Sequence, residues 1–225
     1  MDRILRAEDG WQEAVADALR AATRPIPLDD RLLPRDRDET ATRRRFDRGT
    51  FPPARPAATL LALYPDQRGE LVIPLTVRHD GLRAHAGEVS LPGGAVDVAD
   101  ASHEAAALRE AWEEVGLEPA QVRVVGELDD VWIPVSNYEL RPIVGTLVER
   151  PLLVPHDAEV AAIVELPLAA LFDPGVVAIE EFEVRGLRLR AGAYRHGGVR
   201  IWGATALTLA MLGHVLGDAE AGSGR

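Results

Sequence analysis

An α+β fold, with a mixed β-sheet packed against helices, is the architecture this sequence predicts. Three observations carry it. Segments with strand-like patterning outnumber helical ones, and only two or three stretches have clear helical spacing. Strand and helix also do not alternate regularly, as a doubly wound parallel sheet would require. The chain has 225 residues, 47% of them apolar, enough for one domain with a sizeable core.

The first element is a helix over residues 7–22, where Trp11, Val15, Ala18, Leu19 and Ala22 recur at helical spacing. Residues 23–57 are rich in proline, arginine and aspartate and read as an irregular connection. The run Arg43-Arg44-Arg45 within it reads as a solvated charge cluster. Residues 57–64 and 71–77 read as strands around a turn containing Pro65 and Gly69. A glycine-rich loop at 91–95 leads into a strong helix over 102–115. Residues 122–127, 140–148 and 160–166 read as strands or strand–helix transitions, and 182–189 as another strand. Residues 201–216 are apolar and helical, and the tail 218–225 reads as disordered. Residues 1–54 are thus an N-terminal helix and irregular extension, and 55–217 the principal domain.

Composition excludes several chemistries. There is no cysteine, hence no disulfide, thiolate metal site or cysteine nucleophile. Any metal must sit on oxygen or imidazole. All 25 basic residues are arginine, a bias consistent with a GC-rich genome because it holds along the whole chain. The net charge of −11 is the opposite of a nucleic-acid binder's footprint, so no nucleic-acid partner is expected. An anionic small molecule is within reach only through local arginines or a bound cation. No apolar run approaches the roughly 18–20 residues of a membrane span, and the N-terminal residues are too polar for a signal peptide. The expectation is a soluble, cytoplasmic protein with no membrane partner.

The helix over 102–115 carries the main chemical signal. Ala105, Leu108, Trp112 and Val115 fall within about 80° of one another around its axis and form one apolar stripe. Glu110, Glu113 and Glu114 lie on the opposite side at i, i+3 and i+4, so their side chains can converge. Asp100 or Ser102 can cap the start, and Gly116 followed by Leu117 fits a left-handed stop with an apolar contact. Three converging carboxylates repel one another, and Arg109 alone does not neutralise them. A hard divalent cation turns that repulsion into attraction. Ahead of the helix, Gly93-Gly94 lets the backbone approach a ligand closely and expose a carbonyl.

Taken together, Gly94, five residues, Asp100, eight residues and Arg109-Glu110-Ala111-Trp112-Glu113-Glu114-Val115-Gly116-Leu117 resemble the Nudix box. From Arg109 onward the match holds at every fixed position. In the first half Asp100 replaces the usual glutamate, and one extra residue precedes Arg109. The resemblance implies a mixed sheet sandwiched between α-helices and hydrolysis of a phosphoanhydride in a nucleoside diphosphate derivative. It implies Mg2+ or Mn2+ on Glu110 and Glu114, with Glu113 binding directly or through water and the carbonyl of Gly93 or Gly94 completing the shell. Arg109 orients a glutamate of the cluster. The base that deprotonates the attacking water is Glu110, or an acid outside the box, where Glu159 is the best candidate.

The residues before the box resemble the coenzyme A pyrophosphatase branch of that family. They read Leu75-Thr76-Val77-Arg78, then Leu82-Arg83-Ala84-His85-Ala86-Gly87, then Leu91-Pro92-Gly93-Gly94. The stretch Arg200-Ile201-Trp202-Gly203-Ala204-Thr205-Ala206 is similar too, and the likeness covers roughly residues 55–215. Leu91 stands where an aromatic residue is usual, and Pro74 and His79 also depart from the pattern. The implied substrate is coenzyme A or an acyl-CoA, cut to 3′,5′-ADP and 4′-phosphopantetheine or its acyl form, with Arg78, Arg83 and His85 at the substrate. Arg83 and His85 equally suit local hydrogen bonds that hold their loop. Competing expectations are another substrate such as ADP-ribose or NADH, and a catalytically silent domain that senses a nucleotide. Homodimers are common among such relatives.

Overall fold

A computed structural model of the chain describes residues 5–35, 47–79, 88–184 and 187–223. Helix α1 (Trp11–Ala21) precedes a sheet formed by β1 (Arg55–Pro65), β2 (Leu71–Arg78), β3 (Val89–Ser90) and β4 (Gly93–Ala95). Helix α2 (His103–Val115) follows, and then β5 (Arg123–Glu127), β6 (Val131–Ile133), β7 (Tyr138–Thr146) and β8 (Val160–Pro167) extend the same sheet. A second sheet holds β9 (Val177–Val184), β10 (Leu187–His196) and β11 (Val199–Ile201), and α3 (Gly203–Ser223) closes the order.

The main sheet has eight strands, with β3-β2-β1-β7-β5 as its path and β4, β6 and β8 pairing β1, β7 and β2. It is mixed because β1 runs parallel to β7, from Arg55↔Tyr138 to Leu63↔Thr146, while its other pairings are antiparallel. Strand β1 is buried on both faces, which explains its unbroken apolar run. Leu60, Ala62 and Tyr64 point toward α2, whereas Leu61 and Leu63 point toward a larger core shared with α1 and α3. The result is the expected helix–sheet–helix sandwich. No helix among the described residues is long and apolar enough to cross a membrane.

Several expectations need correction. The apolar stripe expected on α2 is shifted: Ala106, Ala107, Ala111, Glu114 and Val115 are buried and Leu108 packs partly buried against them, but Trp112 is exposed. The helix packs against β1 and β4, and three of its five buried positions are alanine. The single strand read at 182–189 is two strands of a hairpin, β9 and β10, lying either side of residues 185–186. The tail read as disordered is helical through Ser223.

The N-terminal helix and part of the irregular connection after it join the core. Trp11, Val15, Ala18 and Leu19 are buried in the larger core, and Ile26 and Leu32 join them from the irregular connection. Trp11→Ala is therefore expected to cost about 3–5 kcal/mol of stability, the range for deleting a large buried aromatic. Urea denaturation measures it, and a loss under 1 kcal/mol would show that α1 is independent of the core.

Candidate active site

The site forms where α2 crosses β4. Ser102 caps the helix, its hydroxyl accepting from the Ala105 N–H, so of the two expected caps it is serine that serves. At the other end Gly116 has φ 67°, and Leu117 donates to the Ala111 carbonyl, a left-handed stop with the expected apolar partner. Between these fixed ends Glu110 and Glu114 face β4. A Cβ on Gly94 would lie 2.5 Å from the Glu110 carboxylate, and a Cβ on Gly93 would lie 2.4 Å from the Ala58 carbonyl oxygen. Both glycines are thus needed for the close approach of backbone to carboxylate and of strand to strand.

Glu114 is only 6% exposed. The Gly93 N–H donates to its Oε2 at 3.2 Å. Burial pushes its carboxyl up to about 7, opposed by the Gly93 hydrogen bond and the Arg78 charge and reinforced by Glu110 and Glu159. Burial also raises the Glu110 carboxyl, with Arg109 pulling the other way. Glu113 is more than half exposed and stands at the rim.

Arg109 organises the near side. Its Nε and Nη2 donate to the two oxygens of Asp100 at 3.0 and 2.9 Å. Its Nη1 donates to Glu110 at 2.8 Å and to Glu113 at 3.1 Å, and Nη2 also reaches the Ala95 carbonyl. This two-pronged grip holds the Asp100 carboxyl below its ordinary range and makes the guanidinium harder to deprotonate. Sequence reading took Asp100 for a displaced box acid or a cap, yet its work is to fix Arg109. Nothing in a nine-residue spacing announces that pairing, because the intervening loop decides it. Asp100→Asn is expected to lower metal affinity or turnover about 10- to 100-fold, as loss of an outer-shell partner does. Wild-type values for both would mean that Arg109 is held without Asp100.

On the far side, Arg78 places one Nη 3.9 Å from Glu114 and the other 4.0 Å from Glu159. Glu159 is about half exposed and belongs to a segment tied to the end of α2, since His156 N–H donates to the Glu114 carbonyl and Val154 N–H to that of Val115. The fold therefore brings together Glu110, Glu113, Glu114, Gly94, Arg109, Arg78 and Glu159. Arg83, His85 and the run Arg43-Arg44-Arg45 lie outside the described residues.

Among the described residues no three acidic or imidazole side chains are arranged as a metal's ligand set. Glu110 and Glu113 are instead engaged by Arg109, and Glu114 faces Arg78. The donor set still fits a hard divalent cation. Two carboxylates raised by burial lie against backbone that only glycine permits.

The cavity of about 430 Å³ between α3, Tyr194 and residues 27–31 is lined by none of these groups.

The chain is similar to several known proteins. The NUDIX domain family matches residues 53–184. The chain is 39% identical over 167 residues to an uncharacterized Nudix hydrolase, NudL, of Cronobacter sakazakii, covering 73% of this chain and 84% of that one. It is 40% identical over 155 residues to the NudL protein of Escherichia coli, covering 68% and 78%. Among solved structures, the Nudix hydrolase RenU of M. smegmatis aligns at 27% identity with a TM-score of 0.42, over 56% of this chain and 80% of that one. With a family match over more than half its length and relatives near 40% identity, the chain belongs to the Nudix hydrolases, enzymes that cleave a phosphoanhydride in a nucleoside diphosphate derivative.

Proposed function

We propose that this enzyme hydrolyses the diphosphate of coenzyme A or an acyl-CoA, releasing 3′,5′-ADP and 4′-phosphopantetheine or its acyl form. The observation that carries the reading is the place of Arg78, the last residue of the Leu75-Thr76-Val77-Arg78 strand, which stands beside Glu114 and Glu159. In sequence, Arg83 and His85 fall between it and Gly93-Gly94. A substrate carrying a diphosphate and a separate phosphomonoester calls for several such cationic groups near the acids.

Glu110 and Glu114 would hold Mg2+ or Mn2+, with Glu113 and the Gly94 carbonyl completing the set. Such a cation, when bound, neutralises the diphosphate and lowers the pKa of a coordinated water. Arg109 keeps Glu110 aimed at Gly94. Glu159 is the base we favour, because its half-exposed carboxylate can reach water while its segment is tied to α2. Arg83 and His85 would take the phosphates, and a homodimer is the assembly we expect.

Incubation with coenzyme A and Mg2+ or Mn2+ is expected to release phosphopantetheine with a kcat/KM of at least about 10⁴ M⁻¹s⁻¹, the lower end for enzymes on their own substrates. ADP-ribose or NADH cleaved well while coenzyme A is left intact would remove the substrate assignment and leave the hydrolase.

A further inference from the structure

Arg78 is held in an unusual way. In the β2–β8 pairing Val77 lies opposite Ala162 but Arg78 lies opposite Val160, so Ala161 is left over as a bulge. Bulges of this kind re-aim a side chain. The backbone at Arg78 is pinned on both sides: its own N–H donates to Glu88, and the next N–H, of His79, donates to the Glu159 carbonyl. The guanidinium Nε is buried and has no hydrogen-bond partner among the described residues. Its two Nη atoms lie 3.9 Å from Glu114 and 4.0 Å from Glu159, too far for hydrogen bonds but close for charges at a partly buried site.

A buried donor without an acceptor is costly. Here the opposing pull is charge, from two carboxylates on two different elements. Arginine suits this place because its fork addresses both acids at once, which the single ammonium of lysine cannot do. Arg109 has a different duty, since its fork is filled by Asp100.

We propose that Arg78 is a positioning residue: an internal counter-ion that fixes the Glu114 and Glu159 carboxylates relative to each other in the metal-free protein and competes with the incoming cation for them. The inference rests on the reading of Glu110 and Glu114 as metal ligands. It gives Arg78 work in the free enzyme, before any substrate phosphate arrives.

Mn2+ binding to the full chain without substrate, read by electron paramagnetic resonance, tests it together with thermal melting in EDTA. Arg78→Gln is expected to bind Mn2+ about 3- to 10-fold more tightly than wild type, because a like charge has left the site, while its metal-free melting temperature falls. A merely structural role would weaken Mn2+ binding or leave it alone. Arg78→Lys, which keeps the charge, is expected to return the affinity to within about twofold of wild type. Unchanged or weaker Mn2+ binding in Arg78→Gln overturns the proposal and leaves Arg78 to substrate phosphate alone. Should that variant not fold, Glu159→Gln serves: it leaves Arg78 to Glu114, so Mn2+ binding must weaken, and an unchanged affinity overturns the proposal. Wild-type protein that took up no Mn2+ would overturn the metal-site reading and this inference with it.

Discussion

Glu114→Gln is expected to abolish turnover and, in metal-free protein at pH 8, to raise stability. The two effects share one cause. Burial lifts the Glu114 carboxyl from its ordinary range to about 7. The native state therefore holds a proton that the unfolded chain has lost between about pH 4.5 and 7, and stability falls as pH rises through that window. Above pH 7 the penalty is fully present and amounts to about 3 kcal/mol; below about pH 4.5 it vanishes. Glutamine removes the charge and keeps an acceptor for the Gly93 N–H. Denaturation in EDTA is expected to show the variant about 1–3 kcal/mol more stable than wild type at pH 8, with little difference at pH 4.5. Turnover with saturating Mg2+ is expected to drop about 10³-fold, because a misplaced cation forfeits several kcal/mol of barrier lowering. A variant less stable than wild type at pH 8, or one that turned over within tenfold of it, would falsify this account of Glu114.

The adjacent glycines should fail in different ways. A methyl group on Gly93 meets backbone, the Ala58 carbonyl oxygen at 2.4 Å and the Thr59 Cα at 2.6 Å. Those atoms belong to the central strand and cannot retreat. Gly93→Ala is expected to cost about 3 kcal/mol or more, the upper end for overpacking. A methyl group on Gly94 meets only the far end of Glu110, a flexible side chain, at 2.5 Å. Gly94→Ala is expected to stay folded within about 1 kcal/mol of wild type but to lose about 10²-fold or more in activity as the carboxylate swings away. Equal stability losses in the two variants would show that Glu110 is held as rigidly as the strand.

What sequence made legible here was local. Ser102, Gly116, Arg109 and the glutamates act within one helix and its ends, where spacing determines geometry. The pairing of Arg109 with Asp100 depends on a loop, and that of Arg78 with Glu159 on a bulge, neither of which leaves a mark in spacing. On α2 helical spacing places Trp112 in the apolar stripe, whereas the packed helix buries Ala106, Ala107 and Ala111 and turns Trp112 outward. In the second sheet the alternation of a strand is visible, with Phe182 and Leu189 buried between charged neighbours, but it does not mark where β9 ends and β10 begins. Glu180 pairs across the strands with Arg195 and Arg200, and such cross-strand pairs stabilise a hairpin.

Helices α1 and α3 pack against each other and against the face of the sheet that carries Leu61, Leu63 and Leu75. Both lie outside the stretch that matches the family. The stretch matched by the family is therefore smaller than the packed unit, and cutting the chain back to it would strip one side of the sheet to bare leucine. The two flanks of the polypeptide meet on that side like the halves of a clasp.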